Sequence, residues 1–210
     1  MKKYILFDND GVLVHTEPLY FEASQKALKE FFDLELAFEE YMHIMAQGTT
    51  VWEGALRKGF SKESILQARD VRNRYYQEFL QTRDIAIPHV NEILQELSKS
   101  FKMAIITTSR RVDFELIHRD RGIVDFMEFV LCEEDYTHAK PHPEPYLKGL
   151  ELLGGEKGEA LVVEDSQRGL TAAYRAGIEC AVVHNDFTAT HDFSKATHKI
   201  ATLEELFTLL

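Results

Sequence analysis

Short apolar runs recur at residues 4–8, 102–107, 128–132, 160–164 and 179–183, and helical periodicity fills most of the intervals between them. Val90, Ile93, Leu94 and Leu97 have the spacing of one buried helix face, beginning just after Pro88. Tyr146, Leu147, Leu150 and Leu153 repeat that pattern, as do Leu170, Ala173 and Tyr174, with Gly177 where a helix C-cap glycine belongs. Strands that alternate with helices imply a parallel sheet, because parallel neighbours need right-handed crossover connections. The expectation is an α/β fold with a Rossmann-like parallel sheet.

The first interval breaks this rhythm. Residues 9–101 separate the first run from the second, far more than the dozen or so that one crossover needs. The stretch 16–83 reads as nearly all helix. Thr16 suits an N-cap, with Glu17 and Pro18 in the first turn, and Phe21, Ala27, Leu28, Phe31 and Phe32 supply an apolar face. A second long helix is expected from residue 61 or 62 to 81. The predicted organisation is a core formed by residues 1–15 and 84–210, and an inserted helical domain at 16–83. Hinges would lie near 14–16 and 83–88. Residues 184–198 read as a polar loop, followed by a short strand at 199–201 and a closing helix.

The chain has 210 residues and a net charge of −11, which disfavours binding to nucleic acid or anionic membranes. Cys132 and Cys180 form no CxxC pair and lie in apolar runs, as expected of reduced core thiols in a cytoplasmic protein. The charged start and the short apolar run after it do not read as a signal peptide, and no stretch approaches membrane-spanning length. Nothing in the sequence demands more than a monomer.

Chemistry concentrates where the apolar runs end. Tyr4-Ile5-Leu6 leads directly into Phe7-Asp8-Asn9-Asp10-Gly11, placing two carboxylates at the carboxyl end of a strand, where open parallel sheets bind ligands. One carboxylate can attack while the other moves a proton; the same residue types also favour a plain surface turn. The second run ends in Thr107-Thr108-Ser109, whose hydroxyl and free backbone N–H can hold a phosphate oxygen or simply cap a helix. Three of the five prolines fall in Lys140-Pro141-His142-Pro143-Glu144-Pro145-Tyr146, a run suited only to a rigid turn, which would present Lys140 with little backbone freedom. Most lysines, by contrast, are simply solvated. Glu164-Asp165-Ser166 places adjacent acids after an apolar strand, a donor set for a hard cation. An N-cap would explain one of these residues but not both acids.

These four segments, in this order, resemble the signature set of the haloacid dehalogenase-like (HAD) hydrolases, and the resemblance spans the chain. Gly11-Val12-Leu13-Val14 and Gln167-Arg168-Gly169 agree with it in detail. The insert resembles the helical cap of the subgroup that holds phosphoglycolate phosphatase, small sugar phosphatases and β-phosphoglucomutase. The resemblance implies Asp8 as nucleophile on phosphorus and Asp10 as acid and base. It implies phosphate contacts from Gly11, Thr107, Thr108 and Lys140, and Mg²⁺ held by Asp8, Asp165, Glu164 and the Asp10 carbonyl. It also suggests a cis Lys140-Pro141 bond. The partner would be a small phosphomonoester. Electrostatics calls for a cation in any case, since like unit charges about 4 Å apart cost roughly 4 kcal/mol at an effective dielectric of 20.

Departures from the pattern narrow the reading. Dehalogenases lack an acid at the position of Asp10. Mutase-type members carry a cap histidine where Tyr20 aligns, and a lysine-glycine with a nearby arginine where this chain has Gln47-Gly48-Thr49-Thr50-Val51. This favours hydrolysis of monophosphates over a β-phosphoglucomutase-like reaction. Trp52, Met42 and Met45 suit cap packing better than substrate contact. His15 and Asn9 also depart from the pattern, without an assigned role. A reading of another class is a receiver-like signalling domain, which also combines acids, a Thr and a Lys on a parallel sheet. The chain length and the helical insert count against it.

Overall fold

The computed structural model describes all 210 residues. They form two compact units, Met1–His15 with Ala86–Leu210, and Thr16–Ile85. In chain order, β1 (Tyr4–Phe7) is followed by four helices, α1 (Glu17–Phe32), α2 (Phe38–Gln47), α3 (Glu53–Arg57) and α4 (Lys62–Thr82). The chain then alternates through α5 (Val90–Leu97), β2 (Lys102–Ile106), α6 (Arg111–His118), β3 (Phe129–Leu131), α7 (Glu144–Leu153), β4 (Ala160–Glu164), α8 (Gln167–Ala176) and β5 (Glu179–Val183). It closes with β6 (His198–Ile200) and α9 (Leu206–Leu209).

The six strands form one sheet in the order β3-β2-β1-β4-β5-β6, and every neighbouring pair is parallel. The expected α/β class is therefore the observed one. β1 lies between β2 and β4, so the strand order reverses at β1, and ligands of open α/β sheets bind at the carboxyl ends at such a point. The register is what aligns the motifs. Phe7 stands level with Val163 on one side and Ile105 on the other, so Asp8 comes level with Glu164 and sits one residue short of Thr107. Ile5, Leu6 and Phe7 are wholly buried, as a parallel strand covered on both faces requires. Leu6, Ile106 and Val162 pack with Tyr146, Leu150 and Leu153 of α7 and with Leu170 and Ala173 of α8. The face of α5 read from periodicity is buried in full. Val14 and Ala86 form an antiparallel bridge where the chain leaves the sheet unit and returns to it.

In the helical unit, Leu19, Ala23, Ala27, Leu28 and Phe32 of α1 are buried, as are Ile65, Ala68, Tyr76, Phe79 and Leu80 of α4. Phe21 and Phe31, expected on the buried face, are only half-buried. Thr16 holds the N-cap position of α1 but makes no side-chain cap bond, because its backbone is already helical. Met42 and Trp52 are buried, and Met45 is half-buried. The unit also buries a cation: the Arg72 guanidinium lies 4.2 Å from the Tyr20 ring centre and 5.9 Å from that of Trp52. Such stacking stabilises a cation more as water is excluded.

α4 begins at a built cap. The Ser61 hydroxyl accepts from the Ser64 N–H at 3.1 Å, satisfying one of the four free donors at the helix start. Ser61→Ala should lower stability by about 1 kcal/mol and Ser61→Gly by a few tenths, read as shifts of the urea midpoint.

Candidate active site

β1 continues one bond beyond its last residue, the Asp8 N–H donating to the Val163 carbonyl at 2.8 Å. The chain then turns sharply. The Asn9 carbonyl accepts from the N–H groups of Val12, Leu13 and Val14, and the Gly11 N–H donates to the Val14 carbonyl. Gly11 has φ 80°, and a Cβ there would lie 2.0 Å from Asp165 Oδ2 and 2.5 Å from Asn185 Nδ2. Only glycine combines that backbone with that approach. The turn therefore brings Gly11 against the Asp165 carboxylate, which also accepts from Asn185 Nδ2 at 2.9 Å.

Lys140 arrives from the proline-rich turn, and its bond to Pro141 is cis. Its ammonium is buried and donates to Asp8 Oδ1 at 2.6 Å, Glu164 Oε1 at 2.8 Å and the Ile106 carbonyl at 2.8 Å. All three protons are used, so the ammonium joins the ends of β1, β2 and β4. Burial works against the cation, yet the adjacent Asp8 and Glu164 carboxylates outweigh it and raise the Lys140 pKa. Glu164 is also buried, but Lys140, the Tyr146 hydroxyl and the Ser166 N–H hold its pKa below the ordinary carboxylate range. Its Oε1 also accepts from Tyr146 at 2.6 Å, and Oε2 accepts from Ser166 Oγ and from the N–H groups of Asp165 and Ser166. A Cβ on Gly169 would lie 1.6 Å from Oε1, so the first turn of α8 leaves the room that Glu164 fills.

Asp8 fares differently. Burial and then the Glu164 charge push its pKa up to about 7, against the pull of Lys140. One ammonium cannot balance this set of acids, and Glu164, with further bonds from Tyr146 and Ser166, keeps its charge while Asp8 does not. Asp8, Glu164 and Asp165 each bring an oxygen within 4.8 Å of the others. An all-oxygen, surplus-negative set fits a hard divalent cation. The oxygens of Glu164 already accept from Lys140, Tyr146, Ser166 and the Asp165 N–H.

Asp10 belongs to a second group. Its Oδ2 accepts from Ser109 Oγ at 2.6 Å and lies 3.3 Å from Thr107 Oγ1. Thr107 is buried, with its N–H on the Leu131 carbonyl and its own carbonyl on the Tyr136 hydroxyl. Thr108 follows, half-buried in the loop. The structure thus gathers Asp8, Lys140, Glu164 and Asp165, sets Gly11 beside Asp165, and joins Asp10 to Thr107. Ser109, Tyr146 and Asn185 hold this frame without having been singled out as site residues. Ser109 had a signal, lying in the same strand-end run as Thr107; Tyr146 and Asn185 had none, since an apolar helix face and a polar loop hide them.

Asn9 acquires a role. It is wholly buried, and its Oδ1 lies 2.7 Å from Nε2 of the buried His118. Burial lowers the His118 pKa to about 4. The unfolded chain therefore takes up a proton near pH 6.5 that the folded one refuses until about pH 4. This contribution to stability is complete above the unfolded value and is lost as pH falls toward the folded one. Urea midpoints should drop across that window by the equivalent of about 3 kcal/mol. A His118→Gln variant should lose most of that pH dependence.

The haloacid dehalogenase-like hydrolase profile matches residues 5–183. Pyrophosphatase PpaX of Bacillus cereus (strain AH820) is 28% identical over 180 residues, covering 85% of this chain and 82% of the relative. CbbY from Rhodobacter sphaeroides, solved in complex with phosphate, superposes with a TM-score of 0.83 at 23% identity, covering 98% of this chain and 96% of that one. A β-phosphoglucomutase from Clostridium difficile gives 0.79 at 21% identity, covering 98% and 93%. At those identities the two structures speak for the fold. The profile covers most of the chain and includes all four strand-end motifs, so this protein belongs to the haloacid dehalogenase-like hydrolases and is a hydrolase enzyme.

Proposed function

We propose that the chain is a Mg²⁺-dependent phosphatase that hydrolyses a small phosphomonoester, such as a sugar phosphate or a phosphoglycolate-like acid, through a phosphoryl group carried on Asp8. The observation that carries this reading is Lys140 held between Asp8 and Glu164, beside Asp165, at the reversal point of the sheet. Asp8 Oδ1 rests on the ammonium, and the carboxylate keeps 12% of its side chain exposed, enough to meet a phosphorus atom. Lys140 would offset charge on the phosphate, and Thr107 and the Thr108 N–H would take its oxygens. Asp10, oriented by Ser109 and Thr107, would protonate the departing oxygen and later draw a proton from the water that attacks the Asp8-bound phosphoryl group. Asp8, Asp165 and the Asp10 carbonyl would hold Mg²⁺, with Glu164 in support; when bound, the ion supplies the positive charge that these acids and a phosphate dianion require.

The unit Thr16–Ile85 would act as a cap that excludes stray water, moving on hinges at residues 14–16 and 83–88. Its substrate contacts would be polar or apolar rather than phosphate-gripping at Tyr20 and residues 47–51. Arg72, packed on Tyr20, is a cation that qualifies this. Because a relative is named a pyrophosphatase, pyrophosphate belongs in the substrate panel with 2-phosphoglycolate, small sugar phosphates and sugar bisphosphates. Better hydrolysis of small monophosphates than of bisphosphates is expected, with little conversion of β-glucose 1-phosphate to glucose 6-phosphate. Efficient mutase turnover primed by a bisphosphate would replace hydrolysis with the mutase reading. A phosphorylated form that persists for hours after treatment with a phosphodonor would favour a receiver instead. The two buried, free thiols and the acidic surface suit a cytoplasmic monomer.

Asp8→Asn should abolish turnover on the best substrate while leaving the circular dichroism spectrum unchanged. Asp10→Asn should lower kcat by about 10²- to 10⁴-fold. Asp165→Ala should weaken Mg²⁺ binding, measured by titration calorimetry, more than Glu164→Gln does. Glu164→Gln should instead cost roughly 1–3 kcal/mol of stability, because it weakens buried hydrogen bonds while Lys140 keeps Asp8 as its counter-ion. Substantial activity in Asp8→Asn would remove the nucleophile assignment.

A further inference from the structure

The turn that delivers Lys140 also carries a cluster of side chains able to ligate a metal. His138 and His142 stand on either side of Lys140 in sequence, and Glu144 opens α7 two residues later. One atom from each of the three lies within 4.8 Å of the others. The two imidazole rings face each other, with centres 4.6 Å apart and planes 34° from parallel. Both histidines are exposed, at 60% and 49% of their side chains. From this geometry we infer that His138, His142 and Glu144 form a surface binding site for a borderline-soft divalent ion of the Zn²⁺ class, separate from the oxygen-lined site at Asp8 and Asp165.

The donor chemistry separates the two sites. Two imidazoles and one carboxylate suit zinc, and three protein ligands leave a position for water. The carboxylates at Asp8 and Asp165 offer only hard oxygen donors, which suit Mg²⁺. The spacing is close to what zinc needs. With Zn–N bonds of about 2.0–2.1 Å, tetrahedral ligand atoms stand roughly 3.3 Å apart. His142 Nδ1 lies 3.9 Å from Glu144 Oε2 and accepts from the Glu144 N–H at 3.2 Å, and His138 Nδ1 lies 2.6 Å from the same carboxylate oxygen; the ion would replace both hydrogen bonds. Small rotations of exposed side chains cover these differences.

The set is also held in advance. Glu144 accepts from the Thr137 N–H at 2.7 Å and the His138 N–H at 3.0 Å, so its carboxylate keeps its direction when the imidazole turns away. Partners of this kind orient metal ligands. Pro141, Pro143 and Pro145 restrict the backbone between and beside the histidines. Arg175 of α8 donates to the Pro141 carbonyl, and the net charge of −11 favours a cation at the surface. An ion here would tie together the backbone on both sides of Lys140.

The test is a titration of the whole protein with Zn²⁺ under saturating Mg²⁺, followed by calorimetry, with Co²⁺ as a spectroscopic probe. The expected result is one Zn²⁺ per chain and a visible Co²⁺ absorption. Both should persist in Asp165→Ala. In His138→Ala and in His142→Ala, zinc affinity should fall at least about tenfold and the Co²⁺ band should vanish. Both histidines are surface groups outside the proposed catalytic set, so each variant should keep the wild-type circular dichroism spectrum and Mg²⁺-dependent turnover. No Zn²⁺ uptake by the wild type, uptake indifferent to both histidines, or uptake lost in Asp165→Ala would each overturn the site. None of these outcomes depends on whether the enzyme is a phosphatase.

Discussion

Lys140 is the group on which the rest of the site depends. Its three protons fasten the ends of three adjacent strands, two through carboxylates and one through a backbone carbonyl. A buried ammonium survives only if paired, and buried carboxylates only if balanced. The sheet register sets Asp8 level with Glu164, and the proline turn brings in the cation between them. The balance is incomplete, because Glu164 is fully bonded while Asp8 is left with a raised pKa and Asp165 stands nearby. That residual negative charge suits a divalent ion, and under the proposed function it would hold one next to a phosphate.

The supporting residues follow from the same constraint. Glycine at 11 and at 169 leaves space that Asp165 and Glu164 occupy. Tyr146 serves twice, packing in the core beneath the sheet and donating its hydroxyl to Glu164. Asn9, between the two acids, points away from them to His118 and uses its carbonyl to shape the turn. The polar groups around Asp8 are thus organised by a second layer built into strands and helices, not by loops alone.

Much of this was legible in the sequence because the relevant signals are local. Apolar runs ending in acids, a hydroxyl or a proline-bound lysine mark strand ends whatever the tertiary structure. The parallel sheet was readable for the same reason, since strand and helix periods alternate. What stayed hidden depends on contacts between distant segments. Asn185 lies in a polar stretch that reads as loop, yet it bonds Asp165. α6 has only a short apolar face, with Phe114 and Ile117 buried, too little for periodicity to announce it or the buried His118 at its end. Arg72 gives no signal in the sequence, since arginines in amphipathic helices are usually solvated, whereas this one lies against Tyr20. Thr16 takes the N-cap position expected of it, but its lack of a side-chain cap bond has a backbone cause that composition does not carry.

The central claim is that the frame built by Lys140 presents Asp8 to phosphorus. The most direct measurement is rapid acid quench of a single turnover, followed by mass spectrometry of the proteolytic peptides. The account predicts a transient phosphoryl group on the peptide containing Asp8, formed before product release and absent in Asp8→Asn. Turnover with no phosphorylated peptide at any quench time, or a phosphoryl group on a different residue, would contradict it.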